Sequence, residues 1–197
     1  MGVQDPSGVP MKTAWLWLVL ACNAGAVGGD RMNDVRGQAA KVLDVTESAV
    51  EVTPLDATVP GLQLFGAEAG SSPPRKFVAV AVLASGGVVV GGDAVREAIF
   101  DAWGWSPGKV PAATVAAVVT RTLELEEPAR VVSEAADVTY LGRLGVEGVA
   151  LPHEETRGGD PAIVWWVGTG ANPATEVILQ VTGGVPKLST GRTHGGG

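Results

Sequence analysis

The sequence has a single cysteine, two histidines and one tyrosine in 197 residues, and only 18% of its residues are charged. One thiol cannot form an internal disulfide, and it excludes the cysteine clusters of structural zinc or iron–sulfur sites. The 14 Lys and Arg residues are outnumbered by 21 Asp and Glu, which gives a net charge of −7. That balance excludes a broadly basic surface for nucleic acid, and no nucleic-acid partner is expected.

Apolar residues are plentiful by contrast, at 46% of the chain with a mean hydropathy of +0.24. This content is enough to bury a hydrophobic core, and the length suits one ordinary domain or two small ones. The composition by itself indicates no reaction and no cofactor.

An unbroken apolar run of eight residues, 14–21, follows Lys12-Thr13 and ends at Cys22. It is too short to cross a bilayer, which takes about 20 apolar residues, and it is typical of a signal-peptide core. Val19-Leu20-Ala21-Cys22 resembles the lipobox of bacterial lipoprotein precursors. In that family the signal peptidase cuts before the cysteine, whose thiol then carries a diacylglycerol, and a small residue such as Ala21 precedes it.

This resemblance implies a signal peptide over residues 1–21, lipidation at Cys22 and a flexible tether over residues 22–32. It also implies a membrane-anchored protein of the bacterial cell envelope, facing the periplasm. Asn23 stands where an Asp retains enterobacterial lipoproteins in the inner membrane, which favours the outer membrane. The alternative is a buried N-terminal strand or helix that places Cys22 in the core.

Past the tether, Asn33 or Asp34 can cap a first helix with apolar residues at helical spacing. Alternating segments then predict strands at 50–53 and 62–65. The strongest hairpin signal in this half joins 77–83 to 88–90 through Ser85-Gly86-Gly87.

The second half repeats this order of elements. Asp93 can cap a linking helix that stops at Gly104, and a further helix is expected from Ala112 to Leu123 after Pro111. A second hairpin joins 163–167 to 176–182.

An offset of 80 residues aligns the end of the first helix and its strand with a segment of the second half. The identities are Leu43/Leu123, Glu47/Glu127, Ala49/Ala129 and Val52/Val132. We therefore predict an α+β fold built as an internal duplication, with helix-plus-antiparallel-sheet modules at 33–92 and 112–190. A helix and loop at 93–111 join them, and residues 191–197 form a flexible tail. The alternative is one larger α+β domain whose halves are alike only in composition.

A single helix followed by a small antiparallel sheet, at 34–92 and again at 112–184, resembles in element order the PepSY module and the small dimerisation domain of periplasmic disulfide isomerases. The resemblance implies a secreted, non-catalytic module that binds or restrains a partner. No Cys-x-x-Cys is present, so a redox function does not carry over.

His153, Glu154 and Glu155 place an imidazole beside two carboxylates, in a predicted loop before the Trp165 strand. Such a group can serve as an acid/base pair or as part of a metal site. The alternative, which the spacing favours, is the ordinary solvated charge of a loop. A metalloprotease helix needs two histidines four residues apart around a glutamate, and this spacing is absent. No metal site is therefore predicted.

Four tryptophans follow the signal segment in two close pairs, Trp103 with Trp105 and Trp165 with Trp166. Adjacent residues of a strand face opposite sides, so Trp165 and Trp166 cannot enter one core unless both sheet faces are covered. We expect one of them to be exposed or to lie at a contact, and tryptophan is enriched at binding hot spots. The four are therefore candidate partner-binding residues. The alternative places one in its own core and the other against the linking helix at Trp103.

Two classes of function remain open. The first is a lipid-anchored binding, inhibitory or assembly module with a protein partner. The second is an envelope hydrolase that uses His153 with Glu154 or Glu155. A small-ligand carrier, with its ligand between helix and sheet, is a further alternative.

The lipobox predicts the mass of the mature chain. Protein extracted from membranes of its native host should begin at Cys22 and carry the added mass of lipid, since acylation at that thiol follows cleavage. Intact-mass spectrometry measures this, with Cys22→Ala as the control that cannot be acylated. An unmodified chain that retains residues 1–21 would contradict the lipoprotein interpretation.

Overall fold

A computed structural model describes residues 29–70, 75–123, 129–168 and 174–194. The described helices are α1 (Gly29–Leu43), α2 (Gly92–Trp103), α3 (Ala112–Thr120) and α4 (Ala135–Arg143). The strands are β1 (Val50–Pro54), β2 (Leu62–Ala69), β3 (Lys76–Leu83), β4 (Val88–Val90), β5 (Arg130–Val131), β6 (His153–Arg157), β7 (Asp160–Gly168), β8 (Ala174–Thr182) and β9 (Val185–His194). None of these described helices is both long and apolar enough to span a bilayer.

The first sheet is an antiparallel meander in the order β1-β2-β3-β4. Its last turn contains Gly86, whose φ of +90° suits a residue without a side chain. Val78, Val80 and Val82 alternate along β3 and face α1, where they pack with Val35 and Ala39. The predicted hairpin is confirmed.

The first helix begins at Gly29, four residues before the expected cap at Asn33. Residues 29–32 therefore belong to α1, and the predicted tether over 22–32 is wrong for these four residues. Met32 packs against the same cluster as Val35 and Ala39. The spacing of three and seven residues puts all three on one face of a helix, so an additional turn gains apolar contact.

The opposite face of the first sheet opens onto a core that both sheets share. Leu64 and Ala81 of the first sheet pack with Ile99 of α2, and the same cluster includes Val119 of α3 and Leu179 of β8. The two helices therefore lie among residues from both modules, and the linking helix belongs to the core.

The second sheet has the order β5-β7-β8-β9, and β6 pairs with β7 on the same edge as β5. Removing α4 and β6 leaves one helix followed by a four-stranded meander, as in the first half. The predicted α+β fold with two helix-plus-antiparallel-sheet modules is confirmed, and α4 with β6 is an insertion into the second.

The two modules share the order of their helices and strands. The residues that match at an offset of 80, however, do not occupy equivalent positions in the two modules. Val52 packs on the α1 side of its sheet, whereas Val132 packs on the side of β7 that faces away from α3. Its neighbour Val131 pairs with Val167 and packs toward α3. A shift of one residue reverses the faces of a strand, so Val52 and Val132 are not equivalent positions.

Both tryptophans of β7 are buried, and the expectation that one would be exposed is wrong. Trp165 enters the shared core and donates its indole N–H to the Thr120 hydroxyl at 2.8 Å. Trp166 enters a second cluster on the other face, where Leu141 of α4 and Val146 cover it. This second cover comes from α4, a helix that no pattern in the sequence predicted.

The third helix ends at Thr120, three residues before the expected end at Leu123. Thr122 then donates its hydroxyl to the Val119 carbonyl, at 2.7 Å in the interior. Threonine hydroxyls that bond to nearby carbonyls compete with helix continuation.

The predicted flexible tail over 191–197 is wrong for residues 191–194, which complete β9. Thr193 pairs with Thr175, and Arg192 forms an ion pair with the buried Glu176. Because a buried carboxylate is stable only with a cationic partner, the ion pair between Arg192 and Glu176 holds the end of the chain against β8. Residues 195–197 lie outside the described part.

The shared core predicts that the two sheets unfold together. Ile99→Ala should lower the free energy of unfolding by about 2–5 kcal/mol, because it removes buried volume between both sheets. Val42→Ala, on the exposed side of α1, should change it by less than about 0.5 kcal/mol. Urea titrations followed by far-UV circular dichroism and tryptophan fluorescence should coincide for each variant. Two separated transitions would contradict a common core.

Candidate binding cleft

A cleft of about 490 Å³ opens between the loop that follows α2 and one end of the second sheet. Its volume falls within the roughly 300–1,000 Å³ typical of small-ligand sites. The lining comes from the end of α2 and its loop, from the start of β7, and from the end of β8 with the turn to β9: Phe100, Asp101, Gly104, Trp105, Ser106, Pro107, Asp160, Pro161, Val181, Gly183 and Gly184.

Aromatic rings form the wall on the α2 side. The ring centroid of Phe100 lies 5.3 Å from that of Trp105 and 5.7 Å from that of Trp103, with tilted planes. Such tilted pairs stabilise each other beyond the area that they bury. The Trp105 Nε1 is buried without a hydrogen-bond partner among the described residues. Trp105 therefore lines the cleft with ring carbons and does not offer its N–H to a ligand.

The loop that carries Trp105 is fixed at both ends. Gly104 ends α2 in the left-handed conformation, with φ +50°, and its carbonyl accepts from Lys109 Nζ at 2.7 Å. At the far end, the Gly108 N–H faces both carboxylate oxygens of Glu154, each at 3.0 Å. Glu154 belongs to β6, so this contact fastens the loop to the second sheet.

Two acidic residues, Asp101 and Asp160, belong to the lining. One oxygen of Asp160 accepts from the Thr182 hydroxyl at 2.7 Å and from Gln180 Nε2 at 3.3 Å. Thr182 and Gln180 alternate with Val181, which packs toward α2, so the Asp160 carboxylate lies on the other face of the second sheet. Asp101 lies in the last turn of α2, where the helix dipole is negative. Neither carboxylate has an ion-pair partner among the described residues, and none of the described lining residues is basic.

Gly183 and Gly184 form the opposite rim, in the turn between β8 and β9. Both have positive φ, +60° and +85°, and a Cβ on either would meet no atom within 4 Å. Their lack of side chains leaves that rim open.

The structure separates the candidate acid/base residues. They lie in a strand, β6, and the predicted loop is wrong at these positions. His153 and Glu155 share one face, whereas Glu154 points to the other face and holds Gly108. His153 Nδ1 lies 2.9 Å from the Leu151 carbonyl, and its Nε2 is 3.7 Å from Glu155, too far for a hydrogen bond.

Glu155 instead belongs to an ion-pair network on the outer face of the second sheet, which the sequence did not indicate. Glu155 pairs with Arg157, which lies 3.8 Å from the buried Glu176. Arg192 approaches the same carboxylate at 3.2 Å, and its guanidinium lies 5.6 Å from the Trp166 ring centroid. The network contains two carboxylates and two guanidinium groups, so its charges cancel. Its ion pairs link β6, β8 and β9.

The four tryptophans thus divide into two groups. Trp165 and Trp166 are 0% and 1% exposed and have no surface to offer a partner. Trp103 and Trp105 are half-buried, and only Trp105 lines the cleft. The partner-binding role of Trp103 and Trp105 remains a prediction.

The acidic residues of the cleft lining were missed by sequence reasoning. Asp101 and Asp160 lie far apart in the chain, and no motif links them. Among the described residues, no group of three His, Cys, Asp or Glu side chains could hold a metal ion. Cys22 lies outside the described residues, so its lipidation remains a prediction.

Comparison of the chain with protein-family models, with characterised proteins and with solved structures gave no match. A function must therefore be inferred from the chain's own residues and their arrangement.

The contact between Glu154 and Gly108 predicts a local change in mobility. Glu154→Ala removes the acceptor, so the Gly108 amide should exchange its hydrogen roughly tenfold faster, the effect of losing ~1.4 kcal/mol. Hydrogen exchange read by NMR measures this, with Glu147→Ala as the control at an exposed glutamate without a partner among the described residues. Unchanged exchange at Gly108 would mean that Glu154 does not hold the loop.

Proposed function

We propose that the protein is a non-catalytic binding module whose ligand occupies the cleft beside Trp105. The observation that carries this proposal is the fixed wall of the cleft. Hydrogen bonds hold the loop that bears Trp105. The Gly108 N–H donates to the Glu154 carboxylate, and Lys109 Nζ donates to the Gly104 carbonyl. A wall ordered before the ligand arrives loses less conformational entropy on binding, which favours affinity.

The hydrolase alternative has weaker support. The two members of an acid/base pair must both reach the same reacting atom. Glu154, however, lies on the opposite face of β6 from His153. Glu155 is on the correct face, but its carboxylate is engaged by Arg157. The small-ligand carrier is the better second candidate, because the cleft lies between the end of α2 and a sheet and has the volume of a small-ligand site.

The proposal includes an envelope location, with the module held at a membrane by a lipid on Cys22. Its support is the lipobox-like Val19-Leu20-Ala21-Cys22 together with the position of the fold. The first described helix begins at Gly29, seven residues after Cys22 in the sequence. The PepSY-like element order agrees with a secreted module that binds or restrains a partner.

Site-specific crosslinking tests the binding role. A photoreactive amino acid at Ser106, in the cleft lining, should give a defined adduct in the native host. The same group at Ser189, exposed on β9, should give none of that adduct. Adding Trp105→Leu should lower the Ser106 yield severalfold, because it removes the aromatic wall while keeping an apolar side chain.

Mass spectrometry of the adduct reads out the experiment. Equal adducts from Ser106 and Ser189, or a yield from Ser106 that Trp105→Leu leaves unchanged, would contradict a ligand in the cleft.

A further inference from the structure

The charged groups at the α2 side of the cleft cancel. Asp101, in the last turn of α2, and Lys109, in the loop that follows, are both exposed. Lys109 Nζ donates to the Gly104 carbonyl at 2.7 Å, and a Cβ on Gly104 would meet the same nitrogen at 3.0 Å. One carboxylate and one ammonium group therefore lie at the same end of α2, next to the lining residue Gly104. This pair of charges selects neither an anion nor a cation.

The same groups can form hydrogen bonds with an uncharged ligand. The Asp101 carboxylate is an acceptor, and the Lys109 ammonium group keeps donors beyond the one that the Gly104 carbonyl accepts. Ser106, exposed in the lining, adds a hydroxyl that can donate or accept. A ligand with several hydroxyl groups, each a donor and an acceptor, matches this mixture.

The wall of the cleft suits an apolar ring face. Trp105 presents ring carbons, since its Nε1 is buried. Pro161 and Val181 add apolar lining from the second sheet. On the opposite rim, a Cβ on Gly183 would meet no atom within 4 Å, so a ring has room to enter. An alkyl chain would contact this wall but would form no hydrogen bond with the polar groups beside it.

Resting on the proposed binding function, we infer that the cleft binds a sugar. The C–H face of an uncharged pyranose ring packs against Trp105, and its hydroxyl groups bond with Asp101 and Lys109. Small-ligand sites combine apolar and aromatic walls with a few placed polar groups in this way, and the volume of about 490 Å³ is typical of them. A free sugar and a sugar unit of a glycan chain share this chemistry.

Titration followed by NMR tests the inference, with amide shifts at Ser106 and Gly183 as the report from the cleft. The probes are the methyl pyranosides of glucose, galactose, mannose and N-acetylglucosamine, together with cellotetraose. Tetrahydropyran, a ring without hydroxyl groups, and glycerol, with hydroxyl groups and no ring, are the matched controls. At least one pyranoside should bind roughly tenfold or more tightly than either control, the scale of one hydrogen bond to a charged group. Added salt should leave binding nearly unchanged, because the ligand carries no charge.

Variants locate the site. Asp101→Ala and Lys109→Met should each weaken sugar binding roughly tenfold, because each removes a charge-assisted hydrogen bond. Asp34→Ala and Lys41→Met, at exposed positions of α1, are the matched controls and should leave binding unchanged. Trp105→Leu should weaken binding severalfold, because it removes the aromatic wall. Circular dichroism melting curves establish that the variants are folded before binding is compared.

The outcomes separate this inference from the proposed function. Tighter binding of cellotetraose than of every monosaccharide supports the inference with a glycan chain as the source, and equal or weaker binding supports it with a free sugar. Equal binding of pyranosides and controls, tighter binding of n-butylammonium than of any sugar, or no effect of Asp101→Ala overturns it. If the sugars fail to bind while Ser106 still gives its defined crosslink, the ligand class is wrong and the binding role stands. Failure of both experiments overturns both.

Discussion

The structure depends on the need to cover both faces of β7. Trp165 and Trp166 are neighbours in an extended strand, so they must point to opposite sides of the sheet. Leaving either indole in water would forgo the burial of a large apolar side chain. The shared core with α2 and α3 covers Trp165, and α4 covers Trp166. This requirement explains why the second module departs from the first, since α4 enters the chain between β5 and the rest of the sheet.

The inserted segment also shapes the cleft. After α4 the chain pairs with β7 as strand β6. Side chains alternate along β6, so Glu154 points toward the α2–α3 loop, whereas His153 and Glu155 point to the outer face. Glu154 then holds the loop that carries Trp105. Glu154, one of the candidate acid/base residues, therefore positions the aromatic wall of the cleft. The charges of the outer network are paired with one another. The cleft, with its held aromatic wall, is therefore the better candidate for a ligand.

Much of the fold followed from local patterns. The hairpin of β3 and β4 has strict alternation and a glycine turn, and α2 ends at a glycine as predicted. The predicted cap at Asp93 is wrong, because the helix begins at Gly92 after Gly91 and Asp93 lies in its first turn, paired with Arg96. The strands β6 and β9 were missed because polar residues occupy both faces of each, so they show no period of two. The end of β9 is ordered by the pairing of Arg192 with the buried Glu176, a contact between residues that no local pattern connects.

The sequence by itself determined the fold class, the two helix-plus-sheet modules and most of their apolar elements, because these depend on periodicity and breakers within a few residues. It also contains the lipobox-like segment, a local signal that predicts cellular location. Only the tertiary structure decided which tryptophans are buried, which face each acidic residue of β6 occupies, and that Asp101 and Asp160 line one cleft. Those properties depend on how distant strands pair and which helix covers each face. The free energy that fixes them comes from burial and ion pairing between segments far apart in the chain.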